Sequence, residues 1–276
     1  MTPRFPTTRR AASALAFITV LAACSSSGST ANHPAAVPKP LRILVTNDDG
    51  FDAPGIDIVA RALTALPHVK VTIVAPATNK SGTGSQSTPG TLTASPRKTA
   101  SGLPATAVDG FPSDAVRYAL DTLKITPDVV VSGINAGQNL GPITNISGTV
   151  GAAKAAATRD IPAIAASQGL ADTPRYDVGA KLVLTWVRAH RAGFLAGTAA
   201  VDVVNLNIPS CPTPLRGVKV VPLAVDGAGA VDPPDCASTV TDITTDVAAF
   251  HNAFAAVTQL TATGETVTTS TTWPST

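Results

Sequence analysis

Charged and aromatic side chains are scarce in this chain of 276 residues. Only 14% of the residues are charged, and the aromatic residues are 7 Phe, 2 Trp and 2 Tyr. The 20 basic residues include Arg4, Arg9 and Arg10, which lie in a segment that we expect to be cleaved, and this leaves 17 basic against 18 acidic residues. A chain without a basic surplus is not typical of proteins that bind nucleic acid polymers, so we expect no such partner.

Long hydrophobic runs are also missing. No apolar run approaches the roughly 20 residues of a membrane-spanning helix, which argues against a protein with several transmembrane helices. The hydrophobic residues make up 44% of the chain and are mostly Ala, Val, Leu and Ile, which is enough for a sizeable core. At roughly 150 residues per domain, the length corresponds to one large or two small domains.

The first 24 residues have the form of an export signal. Three arginines precede an apolar run over 11–23, and Leu21-Ala22-Ala23-Cys24 resembles the bacterial lipobox, in which the chain is cut before a cysteine that becomes acylated. We therefore expect a lipoprotein signal peptide over 1–23, a lipid anchor on Cys24, and an exported protein on the outer face of the cell membrane or in the periplasm. An ordinary signal peptide with an incidental cysteine is the alternative.

Residues 24–40 predict a flexible tether, because Ser, Gly, Ala and Pro dominate there without apolar periodicity. If Cys24 carries lipid, Cys211 and Cys236 remain as an even pair. A disulfide between them is plausible outside the cytoplasm, and two free thiols are the alternative.

From residue 41 onward, short apolar runs alternate with helical patterns. The predicted strands are 42–46, 68–75, 127–131, 162–166 and 202–208, and the predicted helices are 54–66, 113–123, 148–159 and 176–191. Continuous apolar strands of this kind indicate a sheet covered on both faces, so we predict an α/β fold with a Rossmann-like, doubly wound, mostly parallel sheet. The pattern loosens after Pro209, where 218–221 and 255–260 predict strands of a C-terminal extension. We place one domain over 41–262 and a Thr-rich tail over 263–276, and we expect no order from Thr261 onward.

Two adjacent carboxylates, Asp48 and Asp49, follow the first predicted strand. They repel each other, and a hard divalent cation such as Mg²⁺, Mn²⁺ or Ca²⁺ relieves that repulsion, although a solvated turn explains the pair equally well. Asn135 ends another predicted strand, and Ser81 lies in the Gly- and Ser-rich loop after the second strand. Each is an ordinary loop residue when taken alone. Together, the three strand-end segments would deliver oxygen ligands to one edge of the sheet.

Ser147-Gly148-Thr149 opens the helix of small residues. Free backbone N–H groups at a helix start, with hydroxyls beside them, bind phosphate, whereas simple capping by Ser147 or Thr149 is the plainer explanation. A metal site next to an anion site suggests phosphoryl chemistry.

Several other enzyme classes lack their motifs here. There is no Gly-Lys dipeptide for a Walker A loop, no G-x-S-x-G elbow and no H-E-x-x-H, and residues 82–87 only approach a dinucleotide fingerprint. A haloacid-dehalogenase mechanism needs an Asp nucleophile at the position that Asn47 occupies.

Five separated motifs resemble those of the SurE family, in the same order and with similar gaps. They are 43–50 (ILVTNDDG), 54–56 (PGI), 74–82 (VAPATNKSG), 131–141 (VSGINAGQNLG) and 147–153 (SGTVGAA), with fainter matches at 110–114, 206–209 and 246–260.

This resemblance implies a metal-dependent phosphomonoesterase of the 5′-nucleotidase or acid-phosphatase type, which hydrolyses nucleoside 5′- or 3′-monophosphates or related esters. It also implies a Rossmann-like fold that assembles as dimers or tetramers. One divalent cation would be bound by Asp48, Asp49, Ser81 and Asn135, and Asp48 or Asp49 would activate the attacking water. Substrate phosphate would contact Ser147, Gly148, Thr149, Asn135 and Lys80.

The chain departs from the family pattern in two places. Lys80 stands where the family usually has Arg. A compact ammonium charge therefore replaces a guanidinium group, which can donate two parallel hydrogen bonds to one phosphate. Ile143 and Ile146 stand where the family often has Asp and then an aromatic residue or His, which affects recognition of the base. The alternative function is therefore a surface lipoprotein that binds nucleotide or phosphate without hydrolysing it.

Overall fold

The computed structural model describes residues 38–267 and 273–274, and its centre is one sheet of nine strands. The strands are β1 Leu41–Thr46, β2 Val69–Pro76, β3 Ala94–Lys98, β4 Pro104–Val108, β5 Val129–Ala136, β6 Ala163–Gln168, β7 Val203–Ile208, β8 Val218–Val220 and β9 Ala255–Leu260. The α-helices are α1 Pro54–Thr64, α2 Pro112–Arg117, α3 Gly148–Ala157, α4 Tyr176–Ala196 and α5 Asp246–His251. A π-helical turn, Tyr118–Thr122, continues α2, and a 3₁₀ turn, Gly141–Asn145, precedes α3.

The strand order is β3-β4-β2-β1-β5-β6-β7-β9-β8. The six central strands from β4 to β7 are parallel, whereas β3 is antiparallel to β4 and β9 is antiparallel to β7. This confirms the predicted α/β fold with a mostly parallel, doubly wound sheet. The chain moves from β1 to β2 and β4 on one side and to β5, β6 and β7 on the other, so the winding reverses between β1 and β5. Ligands of such sheets bind at the carboxyl end of that reversal.

Both faces of the sheet are covered. Ile56 and Val183, from α1 and α4, pack with Ile43 and Val131 on one face. On the other face, α2 and α3 pack against strand residues such as Leu44, through small side chains of α3 that let the helix approach closely. Near-continuous apolar strands are the consequence of this double burial.

Three elements differ from the sequence-based expectation. The antiparallel β3–β4 pair was not predicted, because three of the five residues of β3 are exposed and give no buried alternation. The predicted helix over 113–123 is α-helical only as far as Arg117 and then widens into the π turn. Helix α4 extends to Ala196 and ends at Gly197, whose φ of 67° is the left-handed conformation common after helices.

The C-terminal segment is more ordered than the Thr-rich composition suggests. Residues 261–267 fold back on β9, where the Val267 N–H donates to the Gln259 carbonyl at 2.8 Å, and Trp273 packs against the core. The expectation that order ends at Thr261 is therefore wrong for 261–267. Cys211 and Cys236 form a disulfide, with their Cα atoms 5.6 Å apart.

The predicted signal peptide, Cys24 and the tether up to residue 37 lie outside the described residues, as do residues 268–272 within the predicted tail. Residues 38–40 are exposed and lack regular structure. No helix in the described part of the chain is long and apolar enough to cross a membrane.

Candidate active site

The predicted site residues converge where the sheet reverses its winding. Asp48 and Asp49 follow β1, and Asn135 and Ala136 end the neighbouring strand β5. The Ala136 N–H donates to Asp49 Oδ2 at 3.0 Å, which joins the two strand ends directly.

Asp48 lies between β1 and the start of α3. The residue is 2% exposed, and the Thr149 hydroxyl donates to its Oδ1 at 2.7 Å. A Cβ added at Gly148 would stand 2.8 Å from the Asp48 Cβ and 3.0 Å from its Oδ2, so only glycine permits this approach. Burial raises the pKa of Asp48 to about 6; the hydrogen bond from Thr149 opposes this rise, and the charge of Asp49 adds to it.

Asp49 is also in an environment that disfavours its negative charge. Burial raises the pKa of Asp49, and the hydrogen bond from the Ala136 backbone only partly offsets that effect. Binding of a cation to two neighbouring carboxylates with raised pKa values is favourable, because the cation compensates their negative charge. This electrostatic situation fits a divalent metal ion.

Asn135 presents an oxygen without a protein partner. Its Nδ2 donates to the Gly137 carbonyl at 2.7 Å, whereas its buried Oδ1 accepts no hydrogen bond from the described residues. The pairing of β5 with β6 shifts register between Ser132 and Asn135, and such bulges re-aim side chains next to active sites. A buried amide oxygen that accepts no hydrogen bond is suited to bind a hard cation.

The donor set as a whole suits an oxygen-binding cation. In the described part of the chain, no cluster of three or more His, Cys, Asp or Glu side chains could hold a metal ion. The candidate site therefore depends on two carboxylates supplemented by neutral oxygens. Such a mixed oxygen set is typical of Mg²⁺, Mn²⁺ and Ca²⁺ rather than of Zn²⁺.

The loop after β2 is attached to this site through its backbone. The Lys80 N–H donates to the Asp48 carbonyl at 2.7 Å, and the Ser81 N–H donates to Asn79 Oδ1 at 2.8 Å. Ser81 is exposed, and Lys80 is half-buried with its Nζ 5.9 Å from the centre of the Phe111 ring. The structure thus brings this loop to Asp48, without a direct contact between the Ser81 side chain and either carboxylate.

Helix α3 begins beside the carboxylates. Ser147 caps it by accepting a hydrogen bond from the Val150 N–H at 3.1 Å, as the plainer interpretation of the sequence predicts. The N–H groups of Gly148 and Thr149 belong to the first turn and have no acceptor within the helix. The backbone N–H and the hydroxyl of Thr149 both interact with Asp48, so the Gly148 N–H is the group that remains suited to an anion.

Sequence reasoning missed a close contact between two glycines. A Cβ at Gly151 would lie 2.1 Å from the Gly84 carbonyl oxygen, and the Gly84 N–H donates to the Ile146 carbonyl at 2.9 Å. This close approach and this hydrogen bond hold the Ser81 loop against α3. The available signal was the glycine at position 151, which precedes a run of five Ala and one Lys in the same helix.

The structure shows two more residues that support the site. Buried Asp114 accepts hydrogen bonds from the Thr88 and Phe111 N–H groups, each at 2.9 Å, and so fixes the far end of the Ser81 loop. Tyr176, the first residue of α4, lies close enough to Asp49 that this carboxylate adds to the effect of burial and raises the pKa of the phenol. Asp114 lies in the 110–114 motif of the sequence, whereas no sequence signal pointed to Tyr176.

Comparisons with known proteins identify the family to which this chain is similar. The family described as Survival protein SurE matches residues 43–228. The 5′-nucleotidase SurE of Methanopyrus kandleri is 41% identical over 191 residues, which cover 67% of this chain and 72% of that protein. The 5′-nucleotidase SurE 1 of Burkholderia lata is 38% identical over 192 residues, which cover 68% and 71%.

A solved structure has the same fold. The crystal structure of the SurE protein from Aquifex aeolicus matches with a TM-score of 0.64 and 28% identity, over 80% of this chain and 93% of that chain. The matched segment 43–228 contains the aspartate pair, Ser81, Asn135 and the start of α3. On sequence and on fold, this chain belongs to the SurE family.

Proposed function

We propose that this chain is a divalent-metal-dependent phosphomonoesterase that hydrolyses nucleoside 5′- or 3′-monophosphates or related phosphate esters. The observation that carries the proposal is the position of Asp48 and Asp49, which contact the start of α3 on one side and the end of β5 on the other. A cation site and an anion site thereby share one edge of the sheet. The names of the relatives, 5′-nucleotidase SurE, support the same activity.

Asp48, Asp49, Ser81 and Asn135 would hold one Mg²⁺, Mn²⁺ or Ca²⁺ ion. When bound, the ion supplies positive charge that attracts the phosphate and offsets the charge developing during phosphoryl transfer. The free Oδ1 of Asn135 and the buried carboxylates are the structural support for this ligand set.

The other residues of the site bind and orient the substrate. The Gly148 N–H at the start of α3 would bind the phosphate, and the half-buried Lys80, in the loop attached to Asp48, would add a positive charge. The Thr149 hydroxyl holds one oxygen of Asp48 in place, so that the carboxylate keeps a fixed direction. Asp48 or Asp49 accepts a proton from the attacking water as the water oxygen bonds to phosphorus. The bond between phosphorus and the ester oxygen breaks, and the leaving alcohol takes up a proton from solvent.

We further propose that the protein works outside the cytoplasm, anchored through lipid on Cys24, as a homodimer or homotetramer. The export-like segment at 1–24 motivates this location. The Cys211–Cys236 disulfide is consistent with it, because such bonds persist in oxidising compartments. A globomycin-sensitive shift of the protein in lysates, lost in Cys24→Ser, would support lipidation, and identical processing of that variant would contradict it.

Phosphate release by the Cys24→Ser chain tests the activity. Nucleoside monophosphates and p-nitrophenyl phosphate are assayed with Mn²⁺, Mg²⁺ or EDTA, and we expect metal-dependent release that falls at least about 100-fold in Asp49→Asn. Asp52→Asn is the matched control, because Asp52 is an exposed carboxylate in the same loop. Normal activity of Asp49→Asn would contradict the site. A folded chain that releases no phosphate from any ester would favour the non-catalytic binding protein instead.

A further inference from the structure

A disulfide closes a long segment that contains neither helix nor strand. This segment, residues 221–245, connects β8 to α5, and we call it the strap. Cys236 lies in the strap, and its partner Cys211 follows β7 and is 2% exposed. The segment that matches the family ends at residue 228, so one end of this cross-link lies beyond that match. The disulfide therefore ties the strap to the end of a strand of the sheet.

The strap lies against the part of the chain that connects the two halves of the proposed site. This part, residues 138–146, follows β5 and the proposed metal ligand Asn135, and we call it the connecting loop. It ends directly before Ser147, the N-cap of α3. The position of the connecting loop therefore affects how the proposed metal ligand and the start of α3 are arranged.

The sheet holds one side of the connecting loop. The Asn139 carbonyl accepts hydrogen bonds from Asn205 Nδ2 at 3.0 Å and from Asn207 Nδ2 at 3.1 Å, both on β7. The Asn139 Nδ2 donates to the Ser167 hydroxyl on β6 at 2.8 Å. None of these contacts involves the strap.

The strap holds the other side of the connecting loop. Gln138 Nε2 donates to the Asp232 carbonyl at 3.3 Å. A Cβ at Gly141 would stand 3.1 Å from the Asp226 carbonyl oxygen, so the backbones of the connecting loop and the strap are in close contact there. The position of Gln138 and Gly141 thus depends on a segment without regular secondary structure.

Buried groups strengthen this contact. Leu140 of the connecting loop and Ala230 of the strap are fully buried in the same hydrophobic cluster. Asp246, the first residue of α5, is also fully buried, and its Oδ2 accepts from the Gly141 N–H at 2.7 Å. Its Oδ1 accepts from the Ala224 N–H at 2.7 Å. One carboxylate therefore joins the connecting loop to the strap.

We propose that the Cys211–Cys236 disulfide positions the connecting loop through the strap, so that the site is fully active only where disulfides persist. This inference rests on the function proposed above. The bond joins residues 25 positions apart, and opening it gives the strap many more conformations. The contacts of Gln138 and Gly141 then loosen, whereas those of Asn139 remain. Misplacement of groups that must act together lowers the rate of reaction.

Hydrogen exchange and kinetics of the Cys24→Ser chain test the proposal, because its only cysteines are the cross-linked pair. Dithiothreitol opens the bond by thiol–disulfide exchange, which leaves two cysteine thiols and the cyclic oxidised reagent. We expect amide exchange over 138–146 to become at least about 10-fold faster, without a change in β1 and β6. For p-nitrophenyl phosphate, kcat/KM should fall about 10- to 100-fold. Reoxidation after removal of the reagent should restore both values.

Two variants of the same chain are the controls. The double variant Cys211→Ser and Cys236→Ser should behave like the reduced chain and should not respond to dithiothreitol, which separates the loss of the bond from any effect of the reagent on the metal. Asp128→Asn removes one partner of the ion pair with Arg42, at the edge of the sheet opposite the site. This variant should lose stability and keep its kcat/KM, because it leaves the strap untouched.

The possible outcomes separate this inference from the proposed function. Unchanged exchange over 138–146 on reduction would overturn the inference, and so would full activity of the reduced chain. An equal loss of kcat/KM in Asp128→Asn would also overturn it, because any loss of stability would then have the same effect. An oxidised chain that hydrolyses no ester would contradict the proposed function, whereas the exchange measurement judges the positioning of the connecting loop without substrate.

Discussion

The Thr149 hydroxyl is the side-chain contact that directs Asp48, since it donates to Oδ1 at 2.7 Å in a fully buried position. Thr149→Val keeps the shape of the side chain and removes this donor. We expect metal affinity or turnover to fall about 10- to 100-fold, as is usual when a group that orients a metal ligand is lost. Isothermal titration with Mn²⁺ and phosphate-release kinetics measure the two effects.

Thr149→Ser is the control for this prediction, because it retains the hydroxyl. Serine should preserve most of the affinity and turnover, whereas valine should not. Equal behaviour of the two variants would contradict the role assigned to the hydroxyl.

The sequence analysis assigned a different role to Thr149. The S-G-T run predicted a phosphate site, and the structure uses the threonine hydroxyl to hold a carboxylate 101 positions away in the chain. No local pattern encodes a contact of that span. Asp48, Asp49 and Asn135, in contrast, were predictable because strand ends in a parallel sheet meet at one edge.

At the level of elements, the Gly151–Gly84 contact decides how the Ser81 loop lies on α3. In Gly151→Ala the added Cβ would stand 2.1 Å from the Gly84 carbonyl oxygen, closer than atoms tolerate. We expect the free energy of unfolding to fall by about 1–3 kcal/mol, the usual cost of overpacking. Turnover should fall as well, because the loop that carries Ser81 must move. Urea titration and phosphate-release assays measure these changes.

Gly193→Ala in α4 is the matched control, since its added Cβ meets nothing nearer than 3.5 Å. Alanine inside a helix should raise the free energy of unfolding by up to about 1 kcal/mol, because glycine loses more backbone entropy on folding. A loss of stability at position 193 equal to that at 151 would show that the two glycines do not differ in packing.

Element prediction succeeded where strands are buried on both faces and failed where tertiary contacts supply the stability. The apolar runs of β1, β5 and β6 are recognisable in the sequence. Strand β3 does not, because it is a mostly exposed edge strand whose order comes from pairing with β4. Residues 261–267 likewise owe their order to β9, which lies nearby only in the folded chain.

At the scale of the whole molecule, an ion pair joins β1 to the start of β5 at the edge opposite the site. Asp128 is 6% exposed at its side chain and accepts from the Arg42 N–H at 2.8 Å and from the Arg42 guanidinium at 2.7 Å. Burial alone would raise the pKa of Asp128, but the Arg42 side chain and backbone donors outweigh burial and lower it. Its stabilising effect is therefore complete above the unfolded-state pKa of about 3.9 and is lost as the pH falls through the lower folded-state pKa.

Asp128→Asn should therefore reduce the free energy of unfolding by about 1–3 kcal/mol at pH 7, and the difference from the unmodified chain should shrink below about pH 4. Urea titrations at pH 7, 5 and 3 measure the difference. Asp172→Asn, at an exposed carboxylate, is the control and should change little at any of these values. A difference that grows towards pH 3 would contradict the assigned sign.

The sequence by itself determined the fold class, because burial on two faces leaves near-continuous apolar strands. It also predicted an oxygen-rich candidate site, because polar residues directly follow strands whose carboxyl ends share one edge of a parallel sheet. Tertiary structure alone decided which hydroxyl holds Asp48 and which glycines let the Ser81 loop meet α3. It also decided that Cys211 and Cys236 pair, where the cysteine count left two free thiols open. Those outcomes depend on distances between residues far apart in the chain, and such distances exist only once the sheet has formed.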